Sequence, residues 1–378
     1  MTVDYNIQMK VLHICNDFCG SKVHTNLYRE LDRLGLSQTV FTCYRGGYPE
    51  GTNSFEAFNT DFVYKGVLST KHRFFFHYKI NTVYKELIQS VDPNDYTLTH
   101  AVTMFTDGAV VYKLFKDYGI PYIISVRNTD INEFLAVAPH TWGTGIKVLL
   151  NAKKIIFLSK APKEKFCRHF LIKQILPKIK DKFIVQPNGI DDFWLDNVSH
   201  HINLSHNIIY VGKFDINKNV VRLIHAVLQL KKEIGDVQLH LVGGDGSREK
   251  TIMKLVEAHK DCLFYHGKVY DKLKLCELYR QSSVFAMPSI HETFGLVYLE
   301  ALSQNLPVLY TKDQGIDGLF DSHVGEPVNP FSTESIKIAL RKLLLNRSYY
   351  SFKNTLDLNL FRWEVIAKEY LSCYEEVI

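Results

Sequence analysis

The amino-acid sequence predicts an α/β protein of two Rossmann-like halves, each built on a parallel sheet. Three observations lead there. Short apolar runs rich in β-branched residues alternate with longer segments of helical period, the pattern of repeated βαβ units. At 378 residues the chain exceeds what one hydrophobic core usually supports. The alternation also gives way to a polar, His-rich stretch ending at His206 and restarts at Asn207.

In the first half, Lys10 to Ile14 reads as a buried strand, Asn16 to Ser21 as a turn and Val23 to Leu34 as a helix. Thr39 to Thr42, Thr97 to His100, Tyr122 to Val126 and Lys154 to Leu158 read as further strands, with helices over Arg73 to Ser90 and Asp107 to Tyr118. In the second half, strands at Ile208 to Val211, Val237 to Val242, Leu263 to His266, Val284 to Met287 and Pro307 to Tyr310 alternate with helices at Val220 to Ile234, Glu249 to His259, Lys272 to Arg280 and Gly295 to Ser303. The turn Pro187-Asn188-Gly189-Ile190-Asp191 opens a connector near residues 190 to 206, which sets the domains at 1–190 and 207–362. Trp363, Ile366, Ala367, Tyr370, Leu371 and Tyr374 fall at helical intervals, so a terminal amphipathic helix over 363–378 is expected to dock elsewhere. Ligands of open α/β sheets sit beyond the carboxyl ends of the strands, and the two domains are expected to face a common cleft.

Composition narrows the class. Hydrophobic residues at 46% and charged residues at 22% exclude a disordered or collagen-like chain. No run approaches the roughly 20 apolar residues that span a bilayer, and Met1 to Lys10 lacks the basic-then-apolar order of a signal peptide, so a cytoplasmic location is expected. Seven scattered cysteines without a C-x-x-C pair suggest neither disulfides nor zinc, and the 16 histidines show no metal-binding helix spacing. The net charge of +5 is uneven. Residues 1–190 hold 24 Lys and Arg against 16 Asp and Glu, whereas the remainder holds 21 against 24. Lys147 to Lys182 alone has eleven basic and two acidic residues, interleaved with Phe166, Phe170 and Ile172. Such a stretch suits an anionic membrane surface or a phosphate-bearing acceptor, and equally a solvated helix face followed by a basic loop.

The densest constellation runs Pro288-Ser289-Ile290-His291-Glu292-Thr293-Phe294-Gly295-Leu296-Val297-Tyr298-Leu299-Glu300-Ala301. Glu292 falls at a strand-to-helix turn and Glu300 two turns into the helix. Gly295 permits close backbone approach, and the free amides of a first helical turn suit a phosphate. Taken alone, the spacing equally allows a Glu favoured by the helix dipole and a second on the surface. In Val211-Gly212-Lys213-Phe214-Asp215-Ile216-Asn217-Lys218, two lysines follow a strand, a pattern that by itself suits loop solvation and equally neutralisation of a bound anion.

These residues resemble the retaining GT-B glycosyltransferases of family four, whose hallmark is a Glu-x7-Glu pair in a segment reading P-S-x-x-E-x-F-G-L-x-x-L-E-A. The resemblance covers most of the second half and reaches the linker. It implies a GT-B fold of two Rossmann-like domains facing a central cleft, with the C-terminal helix returning to the first domain. It implies transfer from a UDP- or GDP-linked sugar with no metal cofactor, to a saccharide or lipid-linked acceptor of bacterial surface polysaccharide, with peripheral contact at the inner face of the plasma membrane. By the same resemblance, Glu292 faces the transferred sugar, Glu300 the donor ribose, and the turn Thr293, Phe294, Gly295, Leu296 the phosphate or sugar. Gly212, Lys213 and Lys218 serve the diphosphate, and the backbone near Val269 in Gly267-Lys268-Val269 meets the base.

The first half matches less closely. Gly20 and Ser21 stand where the family carries a loop with two glycines. Ile124-Ser125-Val126-Arg127-Asn128-Thr129-Asp130 resembles a strand end reading V-T-x-H-G-x-D, so Arg127 stands where a functional His is usual, with Asp130 after it. His100 is a candidate to share that task or a structural residue. The family is thought to react by front-face attack, in which positioning and phosphate stabilisation dominate.

Other readings are weaker. Val242-Gly243-Gly244-Asp245-Gly246 after a strand invites a nucleotide-dependent oxidoreductase but lacks G-x-G-x-x-G spacing. An epimerase lacks the Glu pair, and a phosphorylase needs a pyridoxal lysine and a longer chain. A non-catalytic scaffold in a polysaccharide assembly complex would need none of the Glu292, Glu300, Lys213 and Lys218 set.

Overall fold

A computed structural model describes residues 9–320, 323–350 and 356–378; residues 1–8, on which most of the signal-peptide reading rests, lie outside it. The chain divides into two compact units. Met1–Leu158, Pro162–Gly189 and Trp363–Ile378 form the first, and Ser159–Ala161 with Ile190–Arg362 the second.

In chain order the first unit carries β1 (Lys10–Ile14), α1 (Lys22–Arg33), β2 (Ser37–Arg45), β3 (Thr60–Leu68), α2 (Lys71–Phe74), α3 (Phe76–Ser90), β4 (Leu98–Ala101), α4 (Thr106–Tyr118), β5 (Tyr122–Val126), α5 (Trp142–Asn151), β6 (Lys154–Phe157), α6 (Lys160–Arg168), α7 (Phe170–Ile179) and β7 (Phe183–Val185). Its seven strands are ordered β3-β2-β1-β4-β5-β6-β7 and every pairing is parallel. Adjacent residues along each central strand point to opposite faces. Val11, Val40, Ile123 and Ile156 enter one core, and Leu12, Phe41, Ile124 and Ile155 the other. Both faces are covered, which is why these strands read as unbroken apolar runs.

The second unit carries α8 (Asp192–Asp196), β8 (Asn207–Lys213), α9 (Val220–Ile234), β9 (Gln238–Gly244), α10 (Glu249–Ala258), β10 (Leu263–Tyr265), α11 (Lys272–Arg280), β11 (Val284–Ala286), α12 (Leu296–Ser303), β12 (Val308–Thr311), β13 (Gly325–Val328) and α13 (Thr333–Leu345). Its sheet is ordered β10-β9-β8-β11-β12-β13, again parallel throughout. The chain then returns to the first unit as α14 (Trp363–Glu375), where Trp363, Ile366, Ala367, Tyr370 and Tyr374 fill the core beside α1. Burying each large side chain there stabilises the unit by about 2 kcal/mol.

Several elements depart from expectation. β3 is an edge strand, half-buried or exposed along most of its length, so it shows no apolar alternation. β13 is another edge strand of only four residues. The helix expected over Arg73 to Ser90 breaks at Phe75, whose backbone is non-helical. The Lys147 to Lys182 stretch is not a helix followed by a loop. It contains the end of α5, then β6, α6 and α7. The connector from residue 190 includes the short helix α8.

Both sheets reverse their winding once. In the first, β1 leads outward through β2 and β3 while β4 begins the other wing; in the second, β8 and β11 do the same. Such switch points open a crevice at the strands' carboxyl ends. This places the loops after β1 and β4 in one crevice and those after β8 and β11 in the other.

Candidate active site

In the second unit, the loop from Lys213 to Asn219 and the loop from Met287 to Gly295 clasp each other. Ile290 N donates to Asn217 O at 2.7 Å, His291 N donates to Asn217 Oδ1 at 2.9 Å, and Asn217 Nδ2 donates to His291 O at 2.9 Å. Asn219, left-handed at φ 59°, donates from Nδ2 to Pro288 O and Pro330 O. The clasp presents Lys218 to Glu292. Their Nζ and Oε2 lie 2.6 Å apart, both side chains largely buried. Glu292 Oε1 accepts from Thr293 N, while Gln314 Oε1 and Gly315 N hold the Glu292 backbone.

Gly295 caps α12 at φ +77°, a conformation that disfavours a side chain, and a Cβ there would lie 2.6 Å from the Tyr298 ring. The amides of the first turn behind it have no helical carbonyl to bond, and the helix dipole adds positive potential. Phe294 is buried with its ring toward Phe361, so only its backbone can meet a ligand. Lys213 ends β8 with an exposed side chain. Beside it, Gly212 and Gly243 pair across β8 and β9, and a Cβ on Gly243 would sit 1.8 Å from Gly212 O. The glycine run that invited an oxidoreductase therefore serves strand contact.

Two turns into α12, Glu300 accepts from Tyr279 OH at 3.3 Å. Burial pushes its carboxyl up to about 7, with the Asp191 carboxylate adding to the rise and Tyr279 and Lys272 opposing it. Asp191 pairs with Lys272 at 2.5 Å and caps α8 through Phe193 N. Half-buried Val269 follows β10 after Gly267, whose carbonyl accepts from Gly243 N at 2.9 Å, and the adjoining Lys268 pairs with Asp245.

The first unit treats its expected residues differently. Asp130 is fully buried, accepting from Arg127 N at 2.8 Å and from Met104 N and Phe105 N at 3.0 Å each. Its carboxylate clasps the loops after β4 and β5 and offers no oxygen to a substrate, which corrects its place among expected catalytic groups. Burial raises its pKa to about 6. His100 also departs from the expected substrate contact. It is buried in β4, with Nδ1 at 2.8 Å from Tyr374 OH and Nε2 at 3.1 Å from Ser125 Oγ. Arg127 is half-buried, with Nε donating to Val102 O at 3.1 Å. Gly20 ends a short 3-10 turn over Phe18–Gly20, and Ser21 precedes α1 without capping it through its side chain.

The polar chemistry of this crevice comes instead from residues that sequence reasoning missed. Asn16 Nδ2 donates to Asp107 Oδ1 at 2.5 Å, Thr103 Oγ1 donates to Asp107 Oδ2 at 3.0 Å, and Asn16 Oδ1 accepts from Cys43 N. Burial raises the Asp107 carboxyl to about 7, and it lowers the pKa of Lys79, whose charge acts on Asp107 and Asp17. The available signals were an Asn-Asp pair after a strand and an Asp opening a helix. Among the described residues, no group of three or more His, Cys, Asp or Glu is arranged to hold a metal. All seven cysteines are free.

Residues 197–355 match the family described as Glycosyl transferases group 1. The second unit thus carries a region similar to the group 1 glycosyltransferases. A lipopolysaccharide 1,2-N-acetylglucosaminetransferase of Salmonella typhimurium is 23% identical over 93% of this chain and 92% of its own length. A probable sucrose-phosphate synthase of Thermosipho melanesiensis is 24% identical over 75% of this chain and 70% of its own. The trehalose-6-phosphate structure from E. coli bound with UDP-2-fluoro glucose superposes with a TM-score of 0.73 at 13% identity, covering 98% of this chain and 99% of that one. The fold is accordingly GT-B. No helix among the described residues is long and apolar enough to cross a membrane.

Proposed function

We propose that this chain is a glycosyltransferase that moves a sugar from a nucleoside-diphosphate sugar to a saccharide or lipid-linked saccharide, with retention of anomeric configuration, in assembling a bacterial surface polysaccharide. The observation that carries the reading is the Lys218–Glu292 pair at 2.6 Å beside the first turn of α12. One carboxylate and one cation are held where a glycosyl carbon and its leaving phosphate would meet.

Each neighbouring group has a task in that reading. Glu292 orients the transferred sugar. Lys213, Lys218 and the α12 amides carry the charge that builds on the diphosphate as the anomeric C–O bond breaks, so transfer requires no added metal. Glu300 accepts from the ribose hydroxyls, and the backbone near Val269 faces the base. The acceptor oxygen bonds to the same face of the anomeric carbon, and its proton passes to the departing phosphate oxygen. The Salmonella relative supports a surface-polysaccharide acceptor, and the E. coli neighbour with its bound UDP-sugar favours UDP over GDP.

Thermal unfolding with UDP- and GDP-sugars, with and without EDTA, tests this. A UDP-sugar at about 100 times its dissociation constant should add about 2.7 kcal/mol. The gain should survive EDTA and shrink in Glu300→Ala. Stabilisation by the GDP series alone reassigns the donor. Loss under EDTA removes the metal-independent mechanism, and no response to any nucleotide sugar leaves a non-catalytic scaffold as the better account.

A further inference from the structure

Glu300 commits one carboxylate oxygen to the fold and leaves the other open. Its Oε2 accepts from Tyr279 OH at 3.3 Å, and among the described residues nothing donates to its Oε1. Tyr279 is fully buried on α11, and its hydroxyl has no other partner there. Burial pushes the hydroxyl's pKa well up, with the Glu300 carboxylate adding to the rise, so the tyrosine stays a donor.

The ring that carries this hydroxyl is held by two others. The buried Trp194 ring from α8 stands edge-on to it with centroids 5.6 Å apart at 80°, and the Phe285 ring from β11 lies 6.1 Å away. α8 is in turn fastened to α11, because Asp191, which caps α8 through Phe193 N, pairs with Lys272 two turns before Tyr279. Lys272 Nζ also lies 5.7 Å from the centre of the Phe193 ring.

A glutamate carboxylate turns through a broad range about its last torsion. A fixed donor on one oxygen sets the plane of the group, and with it the direction in which the open oxygen accepts. The tyrosine by itself does not call for a carboxylate. A backbone carbonyl satisfies a buried hydroxyl, as Leu278 O does for Ser282 Oγ, and a carboxylate held away from water costs stability.

We infer that Tyr279, buttressed by Trp194, is a positioning residue for the donor nucleotide: its hydroxyl turns the open oxygen of Glu300 onto the ribose hydroxyls. This role rests on the reading of Glu300 as the ribose acceptor.

Calorimetry with UDP, GDP and the dideoxy form of each, which lacks both ribose hydroxyls, tests it in the wild type, Tyr279→Phe, Glu300→Ala and the double variant. The wild type should bind the ribose form of its nucleotide more tightly than the dideoxy form. Tyr279→Phe should weaken the ribose form about tenfold and leave the dideoxy form unchanged, which also shows the variant to be folded. In the Glu300→Ala background, Tyr279→Phe should change neither. Equal weakening of both forms, or a loss that persists without Glu300, makes Tyr279 a structural residue and overturns the proposal while the reading of Glu300 stands. Unchanged affinities in Tyr279→Phe overturn it in the same way. Should Tyr279→Phe not fold, Trp194→Phe loosens the ring and keeps the hydroxyl; its smaller loss should again fall on the ribose form alone, and an equal loss on both forms overturns the proposal. A wild type that binds no nucleotide, or binds ribose and dideoxy forms equally, removes Glu300 from the ribose, and the proposal falls with that reading.

Discussion

The crevices at the two switch points have the same topology and opposite chemistry. After β8 and β11, the residues singled out from sequence meet one another or stand open: Lys218 reaches Glu292, Lys213 is exposed, and Glu300 keeps one oxygen clear of Tyr279. In the first unit, Asp130 after β5 is consumed by three backbone amides, and His100 within β4 meets Tyr374 and Ser125. Two Rossmann-like sheets can thus leave polar side chains open in one and spend them on holding loops and core in the other. What separates them is whether the side chain's hydrogen-bonding capacity is already filled.

The sharpest way to break this contrast is Glu292→Gln, which keeps shape and removes charge. Its turnover should fall about 10²- to 10³-fold, roughly 3 to 4 kcal/mol at the transition state, with nucleotide affinity little changed. Unaltered turnover would take Glu292 out of the reaction. Asp130→Ala should act on stability instead. Three buried amides lose their acceptor, at a cost of about 3 kcal/mol in denaturant unfolding, while nucleotide binding by surviving folded protein stays intact. A stable Asp130→Ala chain that turns over slowly would reverse the assignment.

The smallest expected effect is acid sensitivity of the first unit. Burial holds His13 and His24 down at about 3, far below the usual 6.5. Their contribution is therefore fully present above pH 6.5 and is lost as pH falls, because the unfolded chain takes up protons that the folded chain does not. At pH 5.5 each should account for a loss of about 1.4 kcal/mol relative to pH 7.5. Because Asp107 and Asp130, raised to about 7 and about 6, take up protons in the folded chain over the same range and offset this loss, the check is an NMR titration: His13 and His24 rings that protonate near the usual 6.5 would show these histidines to be hydrated.

Much of the second unit was legible because its cues are local. The helices Val220–Ile234 and Lys272–Arg280 fall where their periodicity places them, and Lys218 and Glu292, each singled out from a compact segment, lie 2.6 Å apart. The first unit concealed more. β3 shows no alternation because it lies at a sheet edge, and α6 and α7 are masked by lysines scattered among apolar residues. Asn16 and Asp107 meet across 91 residues only because β1 pairs with β4, a juxtaposition that no single segment encodes. Asp130 was read from a matching string, but its burial follows from two loops closing on it.

The return of the chain into the first unit also has a consequence for synthesis. Tyr374 supplies the hydroxyl that meets His100, and Trp363, Ile366 and Tyr370 complete the core beside α1. Every strand of that sheet has left the ribosome long before these residues are made, whereas the second unit is fully translated by Arg362. The half of the protein that begins first is therefore the half that must wait to finish, with one apolar face uncovered while the later half can already fold.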